Sequence, residues 1–214
     1  MTFNSPIRVL VAAALALWLS LAGAGAALAD PLRIVAFGDS LMAGYQLDPG
    51  KSFPEKLEDA LKARGHDVVI ANAGVSGDTT SAGLSRLDWS VPDGTELVIL
   101  GLGANDMLRG IDPDITERNL TEMVERLDGR GVDVLLMGML AAPNLGAAYG
   151  DRFNGIFPAL AARYDLELYP FFLDGVTAVP GMTLDDRMHP SATGVDRMVE
   201  GVVPLVEAYI AAQG

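Results

Sequence analysis

Short apolar runs separated by helix-patterned stretches constrain this chain more than any other feature. They occupy residues 32–37 (LRIVAF), 67–71 (DVVIA), 96–100 (ELVIL), 132–137 (VDVLLM) and 166–169 (LELY). Runs this short and this apolar read as strands, the first of them buried on both faces. Gly38 and Gly101 close the first and third. Between them lie helical patterns with identifiable starts. Ser52 and Glu55 form a capping box with Pro54 in the first turn, followed by Phe53, Leu57, Ala60 and Leu61 on one face and Gly65 at the stop. Residues 79–89 read as a helix, and Asp112-Pro113 opens another with Leu120, Met123, Val124 and Leu127 on one side. Phe153, Phe157, Leu160 and Tyr164 stripe a helix in which Pro158 is expected to introduce a kink, and a last helix runs from Ser191 to the C-terminus, with Gly201 and Pro204 as weak points. Strands alternating with helices imply an α/β fold, one parallel sheet covered on both faces in a three-layer α/β/α arrangement. Ligands of such sheets bind at the carboxyl ends of the strands.

The 214 residues suffice for one domain. The absence of cysteine removes disulfides, thiolate metal sites and cysteine nucleophiles. With only His66 and His189, a multi-histidine metal centre is excluded, and no metal or organic cofactor is expected. A net charge of −13 argues against nucleic-acid binding. The first 29 residues differ from the rest: Arg8, then an uncharged stretch from residue 9 to 29 ending Ala27-Leu28-Ala29. A short basic region, an apolar core and an A-x-A site read as a secretory signal peptide. Residues 30–214 are then the mature domain, without stable membrane insertion, exported to a compartment compatible with a bacterial periplasm. The rival is an uncleaved anchor, since the stretch is long enough to span a bilayer.

Four segments just outside the strands or before the last helix carry the chemistry. Gly38-Asp39-Ser40-Leu41 follows the first strand. A serine on such a tight turn either caps the helix or exposes its hydroxyl as a nucleophile with its own N–H beside it. Asn72-Ala73-Gly74-Val75-Ser76-Gly77-Asp78-Thr79 follows the second. It reads as a turn capped by Asp78, or as a place where the Gly77 N–H enters a site. Gly101-Leu102-Gly103-Ala104-Asn105-Asp106 follows the third, and Asn105 is either a cap or an amide aimed at a developing negative oxygen. Asp186-Arg187-Met188-His189-Pro190 precedes the last helix, where Asp186 can accept from one imidazole nitrogen while the other faces a hydroxyl. Asp185 competes for that acid role. His66, in a polar turn, reads as a solvated surface residue.

Each segment alone is an ordinary turn; the four in this order resemble the conserved blocks of the SGNH hydrolases, also called the GDSL family. The resemblance spans the mature chain. It is closest to the exported bacterial arylesterase and thioesterase I/lysophospholipase L1 group, on Val75-Ser76-Gly77-Asp78-Thr79, Gly103-Ala104-Asn105-Asp106 with Leu108-Arg109-Gly110, and Asp186-Arg187-Met188-His189-Pro190. It implies a flavodoxin-like five-stranded sheet and a serine esterase. Ser40 would be the nucleophile, His189 the base, Asp186 its orienting acid, and Ser40, Gly77 and Asn105 the oxyanion donors. Ala104 departs from the glycine common in relatives and adds a methyl beside the oxyanion amide.

The expected substrate is a small-molecule or lipid carboxylic ester: an aryl or short-to-medium acyl ester, a lysophospholipid or a thioester. Residues 140–149, with Pro143 and Asn144, are small and apolar, and Met107, Met182 and Met188 flank the catalytic segments. Met107, Pro143, Asn144 and Met188 are candidate substrate contacts, with core packing as the alternative. Two rivals remain: a deacetylase of cell-envelope polysaccharide, and a non-catalytic lipid- or glycan-binding module on the same fold.

Overall fold

The computed structural model describes residues 30–213. The leader assigned to residues 1–29 lies outside them. The chain builds β1 (Leu32–Gly38), α1 (Ser40–Ala43), α2 (Phe53–Ala63), β2 (Val68–Gly74), α3 (Thr80–Ser90), β3 (Leu97–Gly101), α4 (Ala104–Leu108) and α5 (Pro113–Asp128). Then come β4 (Asp133–Met137), a 3-10 turn (Pro143–Leu145), α6 (Ala147–Tyr164), β5 (Glu167–Tyr169) and α7 (Ala192–Gln213). The expected strands form, and α1, α4 and the 3-10 turn are additions that the apolar pattern is too short to reveal. β2 runs three residues past its expected end, because Asn72, Ala73 and Gly74 pair with Ala36, Phe37 and Gly38 of β1. α6 continues through Pro158 and α7 through Pro204, with helical backbone on both sides of each proline.

All strands are parallel in the order β2-β1-β3-β4-β5, the flavodoxin-like order. Right-handed crossovers then fix the layers. The step from β1 to β2 runs opposite to the later steps, so α2 lies on one face and α3, α5 and α6 on the other. α2 packs against α7, and α5 packs against α3 and α6, in agreement. β3 is buried along its whole length and β1 from Ile34 onward. That is why both read as unbroken apolar runs. Phe37, Phe53, Phe153, Phe157 and Phe172 supply the largest fully buried side chains of the core.

The strand order reverses between β1 and β3, so their carboxyl ends diverge into a crevice. Ser40 leaves one of these strands and Asn105 follows the other. Among the described residues no helix is long and apolar enough to cross a membrane.

Candidate active site

At the end of β1 the helix cap is Asp39, not Ser40. The Asp39 carboxylate Oδ1 accepts from the Leu41 N–H at 3.0 Å, while Ser40 is the first residue of α1. Capping by its neighbour leaves the Ser40 hydroxyl without a local task. Its N–H, at the start of a helix, has no intrahelical acceptor. Ser40 is nearly buried, and its Oγ lies 2.8 Å from His189 Nε2.

His189 comes from the segment before α7. Asp186 Oδ1 accepts from the N–H groups of Met188 and His189 at 2.9 and 3.0 Å, and Asp186 Oδ2 lies 2.6 Å from His189 Nδ1. The turn closes because Arg187 adopts a left-handed φ of 60°. Its base is tied by Leu184 N–H to His189 C=O and by Ser191 N–H to Met182 C=O. The Asp186 carboxyl is pulled down to about 2, first by the bond to the His189 ring and then by those two backbone donors. The Tyr45 ring lies 4.4 Å from the imidazole, centre to centre, tilted by 36°.

Gly77 has a φ of +88°, a conformation open to glycine at no steric cost. Among the described residues its N–H has no hydrogen-bond acceptor, while its carbonyl accepts from Arg109 Nη2 at 2.8 Å. The following helix is capped by Thr79, not Asp78: Thr79 Oγ1 accepts from the Ala82 N–H. Asp78 instead pairs with Arg86 Nε at 2.6 Å, and Arg86 Nη2 donates to the Gly38 carbonyl at 2.8 Å. Arg86 is itself buried, its guanidinium 4.1 Å from the Phe37 ring centre. One arginine therefore joins the turn that carries Ser40 to the loop that carries Gly77.

Asn105 is not a cap either; Gly103 holds that place on α4 with a φ of +117°. Asn105 Nδ2 donates to Asp39 Oδ2 at 3.1 Å and keeps its second hydrogen. Asp106, fully buried, accepts from Thr80 N–H at 2.8 Å, from Thr80 Oγ1 at 2.5 Å and from Thr116 Oγ1 at 3.3 Å. These bonds tie α4 to the start of α3 and to α5. Asp39 is also fully buried, and that burial lifts its carboxyl to about 6 against the donors Leu41 and Asn105. Sequence reasoning did not single out Asp39, Arg86 or Asp106. Each also has a partner 26 to 66 residues away, and its only local signal is a polar residue beside an apolar run.

The fold thus brings Ser40, His189 and Asp186 into one bonded line, with Asn105 linked to the Ser40 turn through Asp39. The flanking candidates divide. Met188 is half exposed beside His189, and Pro143 and Asn144 are exposed on the 3-10 turn after β4. Met107 is buried on the inward face of α4 and joins the core cluster, the alternative that the sequence left open. His66 is corrected. It is half-buried, and its Nε2 lies 3.1 Å from Glu207 Oε1 of α7. Among the described residues no cluster of three or more metal-ligating side chains gathers.

A hydroxyl, an imidazole and a carboxylate in line can move a proton from oxygen to nitrogen while a carbon–oxygen bond forms. Comparison with known proteins agrees with that chemistry. The chain is 43% identical over 162 residues to the arylesterase of Vibrio mimicus, covering 74% of this chain and 80% of that protein. It is 35% identical over 186 residues to thioesterase 1/protease 1/lysophospholipase L1 of Escherichia coli, covering 85% of this chain and 87% of that one. The solved structure of AlinE4, an SGNH-hydrolase family esterase, superposes with a TM-score of 0.72 at 47% identity, covering 86% of this chain and 98% of that one. Residues 36–197 match the GDSL-like Lipase/Acylhydrolase family, and the chain belongs to that family of SGNH ester hydrolases.

Proposed function

We propose that this chain is an exported serine esterase that hydrolyses carboxylic esters through an acyl-enzyme. The observation that carries the reading is the line from Ser40 Oγ to His189 Nε2 at 2.8 Å and from His189 Nδ1 to Asp186 Oδ2 at 2.6 Å. His189 takes the Ser40 proton as the hydroxyl attacks the ester carbonyl. Asp186 fixes the imidazole with its proton on Nδ1 and stabilises the imidazolium that forms. The tetrahedral oxyanion is received by the Ser40 and Gly77 N–H groups and the free Asn105 amide hydrogen. His189 then gives its proton to the leaving alcohol. Water, activated by the same imidazole, releases the acid and restores Ser40.

The substrates proposed are aryl and short-to-medium acyl esters, with lysophospholipids and thioesters in the same chemical range. The exposed Met188, Pro143 and Asn144 and the Tyr45 ring beside His189 are the contacts that fit them. The leader supports export to a bacterial periplasm, and the mature protein should begin at Asp30.

The test is a panel: p-nitrophenyl acetate, longer acyl esters, acyl thioesters and acetylated glycans. A serine-directed organophosphonate should label the peptide containing Ser40. Preference for acetylated glycans would move the substrate to the cell envelope. No turnover, with no label on Ser40, would leave a binding module.

A further inference from the structure

We propose that Arg109 is a specificity-determining residue whose guanidinium receives a carboxylate or phosphate carried by the substrate, so that this enzyme prefers anionic esters. The proposal rests on the esterase reading of Ser40 and names a substrate class for that site. The chain is acidic, at −13, and most of its described lysines and arginines pair with one of its own carboxylates. Among the described residues Arg109 pairs with none. It is exposed, yet it is held at both ends. Its backbone N–H donates to the Asn105 carbonyl at 3.1 Å and closes α4. Its Nη2 donates to the Gly77 carbonyl at 2.8 Å. Arg109 therefore joins the segments of two oxyanion donors, while among the described residues its Nε and Nη1 have no acceptor.

Holding the Gly77 loop does not explain a guanidinium, since one neutral N–H would satisfy that carbonyl. Arginine brings five N–H donors on a planar fork that fits a carboxylate or a phosphate. Here one corner of the fork is anchored and the rest stays available. An acidic surface repels an anion on approach. An anionic ester therefore needs a cation at the site that the protein's own acids have not taken. Arg187 is a second one: it stands in the turn between Asp186 and His189, exposed and without a carboxylate partner among the described residues. The Gly77 N–H and the carbonyl that holds Arg109 belong to one residue. An anion on Arg109 thus lies only a few atoms from an ester carbonyl seated on that N–H. The anion can belong to the acyl part or to the alcohol part of the ester, and the chemistry that recognises it is the same.

Two matched pairs of substrates test this. On the alcohol side, octanoyl glycerol phosphate is set against octanoyl glycerol. On the acyl side, mono-p-nitrophenyl adipate is set against p-nitrophenyl hexanoate. In the unaltered protein kcat/KM should favour the anionic member of at least one pair, and which pair responds tells where the anion sits. Arg109→Gln should lower that preference by about ten- to a hundredfold, the worth of a charge-assisted hydrogen bond. The loss should fall on KM, because the anion is bound alike in the ground and transition states. Arg109→Lys keeps the charge and a donor for the Gly77 carbonyl, and should restore part of the preference. A residue that only ties α4 to the Gly77 loop would instead lower both members of a pair equally. That outcome, or no anionic preference in either pair, overturns the proposal. Should Arg109→Gln fail to fold, a salt titration of the unaltered protein takes its place. Between about 0.01 M and 1 M salt the screening length falls from about 30 Å to about 3 Å, and the anionic preference should fall by about tenfold. A preference untouched by salt overturns the proposal as well. Organophosphonate labelling of Ser40 in the unaltered protein separates the two failures. If Ser40 is labelled and no anionic preference appears, only the role of Arg109 falls. If Ser40 is not labelled, the esterase reading falls with it.

Discussion

The two ends of the sheet contain different things. At the amino ends of β3, β4 and β5 lies a cavity of about 480 Å³, lined by Leu97, Val132, Leu135, Leu205 and Tyr209 with Asp133 on its wall. Volume with some apolar lining is what a binding pocket usually offers. Yet its two tyrosines are already engaged: Tyr209 O–H donates to Asp133 Oδ2 at 2.9 Å and Tyr164 O–H to Glu125 Oε1 at 2.6 Å. At the carboxyl ends polar groups converge: Ser40, His189 and Asp186 form one bonded line, and among the described residues the Gly77 N–H and one Asn105 amide hydrogen have no acceptor. Reactivity follows that convergence and not the size of the hole, because a proton must pass between heavy atoms less than about 3.2 Å apart.

The largest effect that could break the contrast is at Ser40. Ser40→Ala should fold normally and lose esterase activity by about 10⁴-fold or more. Organophosphonate labelling at Ser76 or Ser191 instead would move the reactive centre. Asp186→Asn should follow, with kcat/KM down by about 10³- to 10⁴-fold, because the amide would favour the wrong imidazole tautomer. Asp185→Asn, one residue away and exposed, should keep most activity. If Asp185→Asn is the inactive variant, the acid is misassigned by one residue. Asn105→Ala should cost about 10²- to 10³-fold in kcat with little change in KM, since its free hydrogen matters most once the carbonyl oxygen is charged.

These residues were legible before any coordinates, and the reason is local. Ser40, Asn105 and the Asp186/His189 pair each lie just outside an apolar strand or helix, where a polar residue interrupts a pattern. The groups that hold them were not legible. Arg86 reaches Gly38 across 48 residues, and Asp39 reaches Asn105 across 66. Nothing in the spacing of an arginine on a helix says which carbonyl it will meet. Strand interiors were readable because β1 and β3 are buried on both faces. The end of β2 was not, because Asn72-Ala73-Gly74 has turn composition and is extended only by pairing with β1. Met107 could be read either way for a related reason: α4 is one short turn, and its inward face cannot be told from its outward face by periodicity. The last helix shows a contact that sequence does not announce. A Cβ on Gly194 would collide with the Met182 carbonyl, so the glycine is what lets α7 approach the segment bearing His189.

Asp39 and Asp186 respond to pH in opposite directions, which sharpens the comparison within the carboxyl end. The Asp39 carboxyl stands at about 6 in the fold against 3.8 in the unfolded chain, so the folded state holds the proton longer. Stability contributed by the protonated form is present below about 4 and is lost as pH rises through 6. The loss is about 3 kcal/mol by pH 7. Asp186, pulled down to about 2, contributes above its ordinary value and loses that contribution as pH falls toward 2. Denaturant unfolding of the parent and Asp39→Asn at pH 4 and pH 7 should show the parent losing ground to the variant at the higher pH. A constant difference across that window would mean the buried carboxyl is not the cause.

The smallest expected effect belongs to the amino end, and it asks whether that cavity is structural. Tyr209→Phe removes the hydroxyl that bridges Asp133 and the Glu96 carbonyl while keeping the ring against the core. Near pH 7 the loss should be about 1 kcal/mol of stability, the usual net value of one such bond. kcat and KM should match the parent, since no bond from Tyr209 leads toward Ser40. The Tyr209 hydroxyl is held well above the ordinary tyrosine range, first by burial and then by the Asp133 carboxylate, so the fold favours its protonated form. That advantage is present below about 10 and is lost as pH rises past it, because the unfolded chain can ionise where the folded one resists. The stability gap between parent and variant should therefore narrow above pH 10. A change in kcat/KM for Tyr209→Phe at neutral pH would show that the two ends of the sheet are coupled, and the contrast between them would need another explanation.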